Sequence, residues 1–184
     1  MKMKLTNVRL NVLLAAALCA TGITAHAAIT KAEHKAALEN AEMSFKSAKA
    51  TCASLAGNAK DVCVAEAKVE RTYSIAKSDG DFKNTPKAIY DGRKEVATAE
   101  YDLAKAKCGA LAGNAWDVCV QEAKAVEVRA QADAQAGSKI SDARADASDA
   151  KNTANYKVAI EKCDAFAGDA KDACVKGAKA RFSK

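Results

Sequence analysis

Cysteine is the residue in this chain whose type and spacing could do chemistry. Six cysteines recur as three pairs, Cys52 with Cys63, Cys108 with Cys119, and Cys163 with Cys174, each written Cys-x10-Cys. Repeated cysteine pairs serve metal ligation, redox exchange or structural cross-linking. Zinc sites use spacings such as Cys-x2-Cys, and thioredoxin-like centres use Cys-x-x-Cys; neither occurs here. Two thiolates facing each other across a turn could still hold a soft metal, so compartment and local structure must decide.

Compartment is written at the N-terminus. Lys2, Lys4 and Arg9 form a positive n-region, Leu10 to Ala20 an apolar core, and Ala25-His26-Ala27 a small-residue cleavage site. These are the three parts of a secretory signal, with cleavage expected after Ala27. The apolar run is shorter than the roughly 20 residues a membrane-spanning helix needs, so no integral membrane segment is expected after cleavage. A lipoprotein reading would lipidate Cys19, but Leu18 stands where a small residue is expected. The signal has bacterial character, and the expected destination is the periplasm. Losing Cys19 turns seven cysteines into six, an even number in an oxidising compartment, which favours disulfides.

The cysteines sit inside a block written three times at a period of about 55 residues, the mark of a repeat architecture. The copies begin at Cys52, Cys108 and Cys163, and each carries Ala-Gly-Asn or Ala-Gly-Asp between its cysteines. Glycine just past a helix end supplies a left-handed residue, and Asn or Asp is a preferred N-cap for the helix that follows. Asp61, Asp117 and Asp172 would then favour the positive end of the second helix's dipole. The unit reads as an αα-hairpin with a very short turn. Cys52 lies five residues before Gly57, and Cys63 five after Asn58. That symmetry favours pairing within each repeat, with pairing between repeats and free thiols as alternatives. A within-repeat disulfide would close a short loop and stabilise by about 3 kcal/mol.

Composition agrees with long helices. The hydrophobic fraction is 49%, but roughly a quarter of the chain is alanine, a strong helix former that buries little area. Aromatic residues are 5% and there is one proline, Pro86. The expected fold class is all-α: three tandem disulfide-stapled αα-hairpins, coiled-coil-like, after a cleaved signal peptide. The expected segments are 1–27 (signal), 28–80, 85–137 and 138–184 (hairpins). Within them the arms are expected near 31–56 and 59–77, 86–112 and 115–136, and 139–167 and 170–182. Ser78 to Pro86 reads as a linker with Thr85 as N-cap and Pro86 at N1, and a softer break falls at Ala136-Gly137-Ser138. Residues 139–154 hold almost no large apolar group and read as exposed helix or partial disorder. Phe45, Tyr101 and Tyr156 stand seven residues before the first cysteines, Ala48, Ala104 and Ala159 four before, and Leu55, Leu111 and Phe166 three after. That 3-4 spacing predicts a packing seam.

Several functions find no support in the residues. The formal charge is +6, but without the signal 26 basic residues face 23 acidic ones. These are interspersed along the helices, so nucleic-acid binding is not expected. His34 is the sole histidine after the cleavage site and reads as solvated, and no Ser-His-Asp set can be assembled from sequence. No Gly-rich phosphate loop occurs, so no catalytic residue, cofactor or metal site is expected. Trp116 occupies the slot held by Lys60 and Lys171 in the other copies. It either covers Leu111 across the turn or contacts a partner or a membrane surface, since an exposed tryptophan is a typical interface anchor.

The block Cys-x-x-Leu-Ala-Gly-Asn-Ala-x-Asp-Val-Cys-Val-x-Glu-Ala-Lys resembles a group of small exported Ala/Lys-rich proteins of β-proteobacteria, some carrying labels that invoke TolA. All three copies match, the third departing at Phe166, Asp169, Ala173 and Gly177. The resemblance implies export but no activity. TolA itself is anchored by a transmembrane helix, whereas this chain should lose its only apolar segment. The leading functional expectation is a non-enzymatic periplasmic helical-repeat protein, a structural, interaction or envelope-stress module with an unknown protein partner and undefined oligomeric state. A chaperone-like client binder is the alternative, and a thiol-redox or soft-metal protein a further one.

Overall fold

The computed structural model describes residues 28–184; the expected signal, with Cys19, lies outside them. Among the described residues there are five α-helices and no strand: α1 (Lys31–Cys52), α2 (Gly57–Lys83), α3 (Pro86–Cys108), α4 (Asn114–Cys163) and α5 (Gly168–Phe182). Three disulfide-stapled hairpins follow. They are α1 with α2, α3 with the first half of α4, and the end of α4 with α5. The all-α expectation stands.

Each helix packs on its neighbours in sequence, α1 on α2, α2 on α3, α3 on α4 and α4 on α5. The first four therefore form an open antiparallel layer in which α1 and α4 do not meet. The buried residues are mainly alanines, Ala41, Ala65, Ala67, Ala88, Ala97, Ala123, Ala134 and Ala178, with Cys52, Cys108 and Cys163. A methyl-sized side chain gains only about 0.8 kcal/mol on burial. Such a layer holds together by close approach instead. At Gly92 of α3 a Cβ would meet the Ala76 Cβ of α2 at 3.0 Å and its carbonyl oxygen at 3.3 Å.

Helix boundaries differ from expectation in three places. The expected linker at 78–86 is mostly helix: α2 continues to Lys83 and only Asn84 and Thr85 separate it from α3. The i,i+4 pairs Lys77–Asp81 and Lys83–Asp79 support that last stretch, and Asn84 ends it in a left-handed conformation with φ 45°. Thr85 and Pro86 behave as expected, the Thr85 hydroxyl accepting from the Ala88 amide at 3.1 Å. The break expected at Ala136-Gly137-Ser138 is also absent. One glycine costs a helix about 1 kcal/mol, and nothing else there stops α4, which runs 50 residues or about 75 Å. Residues 139–151 are helical and exposed throughout, lying between the part of α4 that meets α3 and the part that meets α5.

The third difference is at the turns. The first arm of every hairpin ends at its cysteine, not at the alanine four residues later. A short irregular segment then leads to Gly57, Gly113 or Gly168, whose φ values are 55°, 58° and 56°. Left-handed glycine is as expected, but it opens the second helix instead of closing the first. Asn58 is consequently inside α2 and does not cap it.

Candidate interaction site at the stapled turns

The staples hold the ends of the hairpin arms together. Cα–Cα distances are 5.7 Å for Cys52–Cys63, 5.8 Å for Cys108–Cys119 and 5.6 Å for Cys163–Cys174, inside the range a disulfide requires. The first cysteine of each pair is 1% exposed, so the bridge occupies the position a large apolar side chain would fill. Its carbonyl accepts from the amide three residues on: Leu55 at 3.1 Å, Leu111 at 2.8 Å and Phe166 at 3.0 Å. One turn geometry is thus repeated three times.

The arms behind the staples carry a second repeated feature that the sequence reading caught only by half. Phe45, Tyr101 and Tyr156 are half-buried, as the seam predicts. What covers them was not foreseen. The Arg71 guanidinium lies 5.5 Å from the Phe45 ring centre and the Lys124 ammonium 5.0 Å from that of Tyr101. At Tyr156 the edge of Phe182 takes the place at 6.2 Å. Ten residues before the first cysteine and eight after the second, the arms are tied by Glu42 with Arg71 and by Thr98 with Glu127. The same register in the third hairpin holds Thr153 and Phe182, with no carboxylate tie: Asn152 donates to the Phe182 carbonyl at 3.1 Å and Lys184 to the Thr153 hydroxyl at 3.3 Å.

Glu127 is 5% exposed and fully engaged, accepting from Lys124, Thr98 and Gln131. The Lys124 hydrogen bond holds its carboxyl below the usual carboxylate range against the opposing pull of burial, and Thr98 and Gln131 assist. Arg71 does the same for Glu42. These are structural ties between arms, each charge matched by a partner.

The turns do not share one environment. The first two lie side by side at one end of the layer. The Asn58 side-chain amide, expected to cap its own helix, instead donates to the Ala106 carbonyl of α3 at 3.0 Å. Gly109 leaves the room for it, since a Cβ there would come within 2.9 Å of that nitrogen. The third turn lies beyond the far end of α4. Leu55, Leu111 and Phe166, expected to continue the seam, are 41%, 46% and 52% exposed. They project from the turns because the first helix has already ended. Trp116 is 37% exposed, so neither it nor Leu111 is packed into a core.

His34 requires a correction. Expected to be solvated, its side chain is 15% exposed. It stacks on Phe82 with ring centres 4.5 Å apart, meets the Ser78 hydroxyl through Nδ1 at 2.9 Å, and faces Asp79 through Nε2 at 3.4 Å. A Ser-His-Asp set therefore does assemble, from α1 and the segment read as linker. Hairpin symmetry held the signal: His34 is eighteen residues before Cys52, and Ser78 and Asp79 are fifteen and sixteen after Cys63. Ser78 is 5% exposed and lies within α2, so the three side chains meet inside the α1–α2 interface.

Among the described residues no group of three or more His, Cys, Asp or Glu is arranged to hold a metal ion, and no helix is long and apolar enough to cross a membrane. A groove of about 580 Å³ runs along α2, α3 and α4, lined among others by Tyr73, Val96, Ala97 and Ala134. Comparison with protein-family models, with curated proteins and with solved structures returned no match.

Proposed function

We propose that the protein is a non-enzymatic structural or interaction module of the bacterial periplasm, a stapled helical scaffold that works through the surfaces at its ends. One observation carries this reading. The feature repeated in all three hairpins is the disulfide with its turn, whereas the His34–Ser78–Asp79 set occurs once and joins α1 to α2. The disulfides fit an oxidising compartment, and the export signal read in the sequence supports the periplasm.

The test is fractionation of cells producing the full chain, followed by non-reducing peptide mapping and site-specific photocrosslinking from position 116. The expected result is a periplasmic protein carrying the three within-hairpin disulfides and crosslinking to a defined component of the envelope. Cytoplasmic retention with reduced thiols would overturn it.

A second reading, a client-binding chaperone, draws on the exposed side chains of Met43, Tyr73, Val126, Val128, Ile140 and Val158 along the helices. It predicts suppression of aggregation by the oxidised protein at stoichiometric ratios. The thiol-redox or soft-metal alternative needs free thiols, and all six cysteines of the described residues are disulfide-bonded.

A further inference from the structure

We infer that the end of the layer formed by the first two stapled turns is a docking surface for an anionic phospholipid bilayer, seated at headgroup depth. The inference deepens the reading of the protein as an envelope interaction module and rests on it. Residues 50–59 and 108–116 are free of charge, and they form adjacent turns joined by the Asn58–Ala106 bond. This uncharged end exposes Leu55, Leu111 and Trp116. Tryptophan and leucine on a protruding, uncharged tip are the side chains that partition into a membrane interface.

The surrounding charges select the occupant. From six residues before the first cysteine to nine after it, the two turns hold Lys46, Lys49, Lys60, Lys105 and Lys107 against Asp61, Asp102 and Asp117. All five lysines are exposed. Lys107 also approaches Glu66 of α2 at 3.5 Å, but both remain more than half exposed. Hairpin 1 supplies the whole of the excess, with Lys49 and Lys60 flanking its uncharged stretch, while the lysines and aspartates of hairpin 2 balance. A collar of ammonium groups behind an apolar tip complements a negatively charged lipid surface. The third turn lacks this pairing. Its corresponding stretch holds Lys157, Lys162 and Lys171 against Glu161, Asp164, Asp169 and Asp172, so of the three turns the first two form the lipid-facing end. The turns bring backbone groups outside helical hydrogen bonding with them, which bars entry into the hydrocarbon.

Trp116 is the chain's single tryptophan, so its emission reports directly on the surface. Oxidised full-length protein mixed with phosphatidylglycerol/phosphatidylethanolamine vesicles should co-sediment and shift its emission to the blue, and should do neither with phosphatidylcholine vesicles. Leu55→Asp with Leu111→Asp should weaken binding by at least about tenfold, the scale of one lost apolar anchor. Lys49→Gln with Lys60→Gln should weaken it by roughly tenfold or more on anionic vesicles, and Phe166→Asp should leave it unchanged. Circular dichroism should remain that of the parent in each variant. Absence of binding to anionic vesicles overturns the inference, as does equal binding to neutral ones or a loss that follows Phe166. A position-116 crosslink to an envelope protein with no vesicle binding removes the lipid assignment and leaves the interaction-module reading standing.

Discussion

Hairpins 1 and 2 and hairpin 3 are built from the same block, yet they stand in different surroundings. The first two lie side by side, sharing the α2–α3 seam at Ala76 and Gly92 and the Asn58–Ala106 bond between their turns. The third stands alone at the end of α4, separated by the exposed helix of 139–151 and closed by a 15-residue α5 that packs only on α4. A helix that short is marginal by itself in water. The staple is therefore common to all three hairpins, but its weight is not. Where neighbours supply packing the disulfide adds to it; where there are none it substitutes for a core.

The largest expected effect follows from that contrast. Cys163→Ser with Cys174→Ser should speed amide exchange throughout α5 by about a hundredfold, the equivalent of a disulfide's roughly 3 kcal/mol. Cys52→Ser with Cys63→Ser should expose α1 but leave most of α2 protected, because α3 still covers it. Equal loss in α2 and α5 would break the comparison. Next in size is Gly92→Val, which forces side-chain atoms against the Ala76 backbone and should cost about 1–3 kcal/mol. Thermal unfolding should show the loss, and exchange should place it in α1–α4 while α5 keeps its protection.

Acid should separate the hairpins as well. The Glu42 and Glu127 carboxyls lie below their ordinary range in the folded chain, so the unfolded chain takes up their protons first as pH falls. Their stabilisation is complete above the unfolded value of about 4.3 and is lost as pH drops through the depressed folded values. Hairpin 3 carries Thr153 and Phe182 at that register. Between pH 5 and the acid limit, roughly 5 to 2, exchange should accelerate in α1–α3 before α5. Glu127→Gln should flatten the hairpin 2 response and cost about 1 kcal/mol near neutral pH through weakened hydrogen bonds. The smallest effect belongs to Trp116→Lys, which restores the residue of the other copies at an exposed site. Its midpoint of unfolding should match the parent within about 0.5 kcal/mol, and a large drop would mean that the ring holds the turns together.

How far the residues alone reach can be seen at particular positions. Cys52 and Cys63 equidistant from Gly57-Asn58, and the repetition of that symmetry, favoured the hairpins and the within-repeat pairings that the structure shows. The signals are local: a left-handed glycine, a cysteine spacing and a helix-forming background act within a dozen residues. Thr85-Pro86 was legible for the same reason. At Gly137 the local signal misled, since a single glycine without the accompanying turn geometry is too weak to stop an alanine-rich helix. His34 was misjudged because its surroundings come from Ser78, Asp79 and Phe82, 44 to 48 residues away.

What the chain determined by itself is therefore its periodic part: all-helical arms, three staples, and a thin alanine seam that makes the staples necessary. Tertiary structure alone decided the rest. It joined hairpins 2 and 3 through one continuous α4, turned Asn58 from a cap into a bridge, and set two uncharged turns at one end with the acidic third turn at the other. The physical reason is range. A hairpin is specified by contacts its own turn brings together, whereas the placement of one hairpin against the next depends on how closely Gly92, Ala76 and Gly109 let whole helices approach.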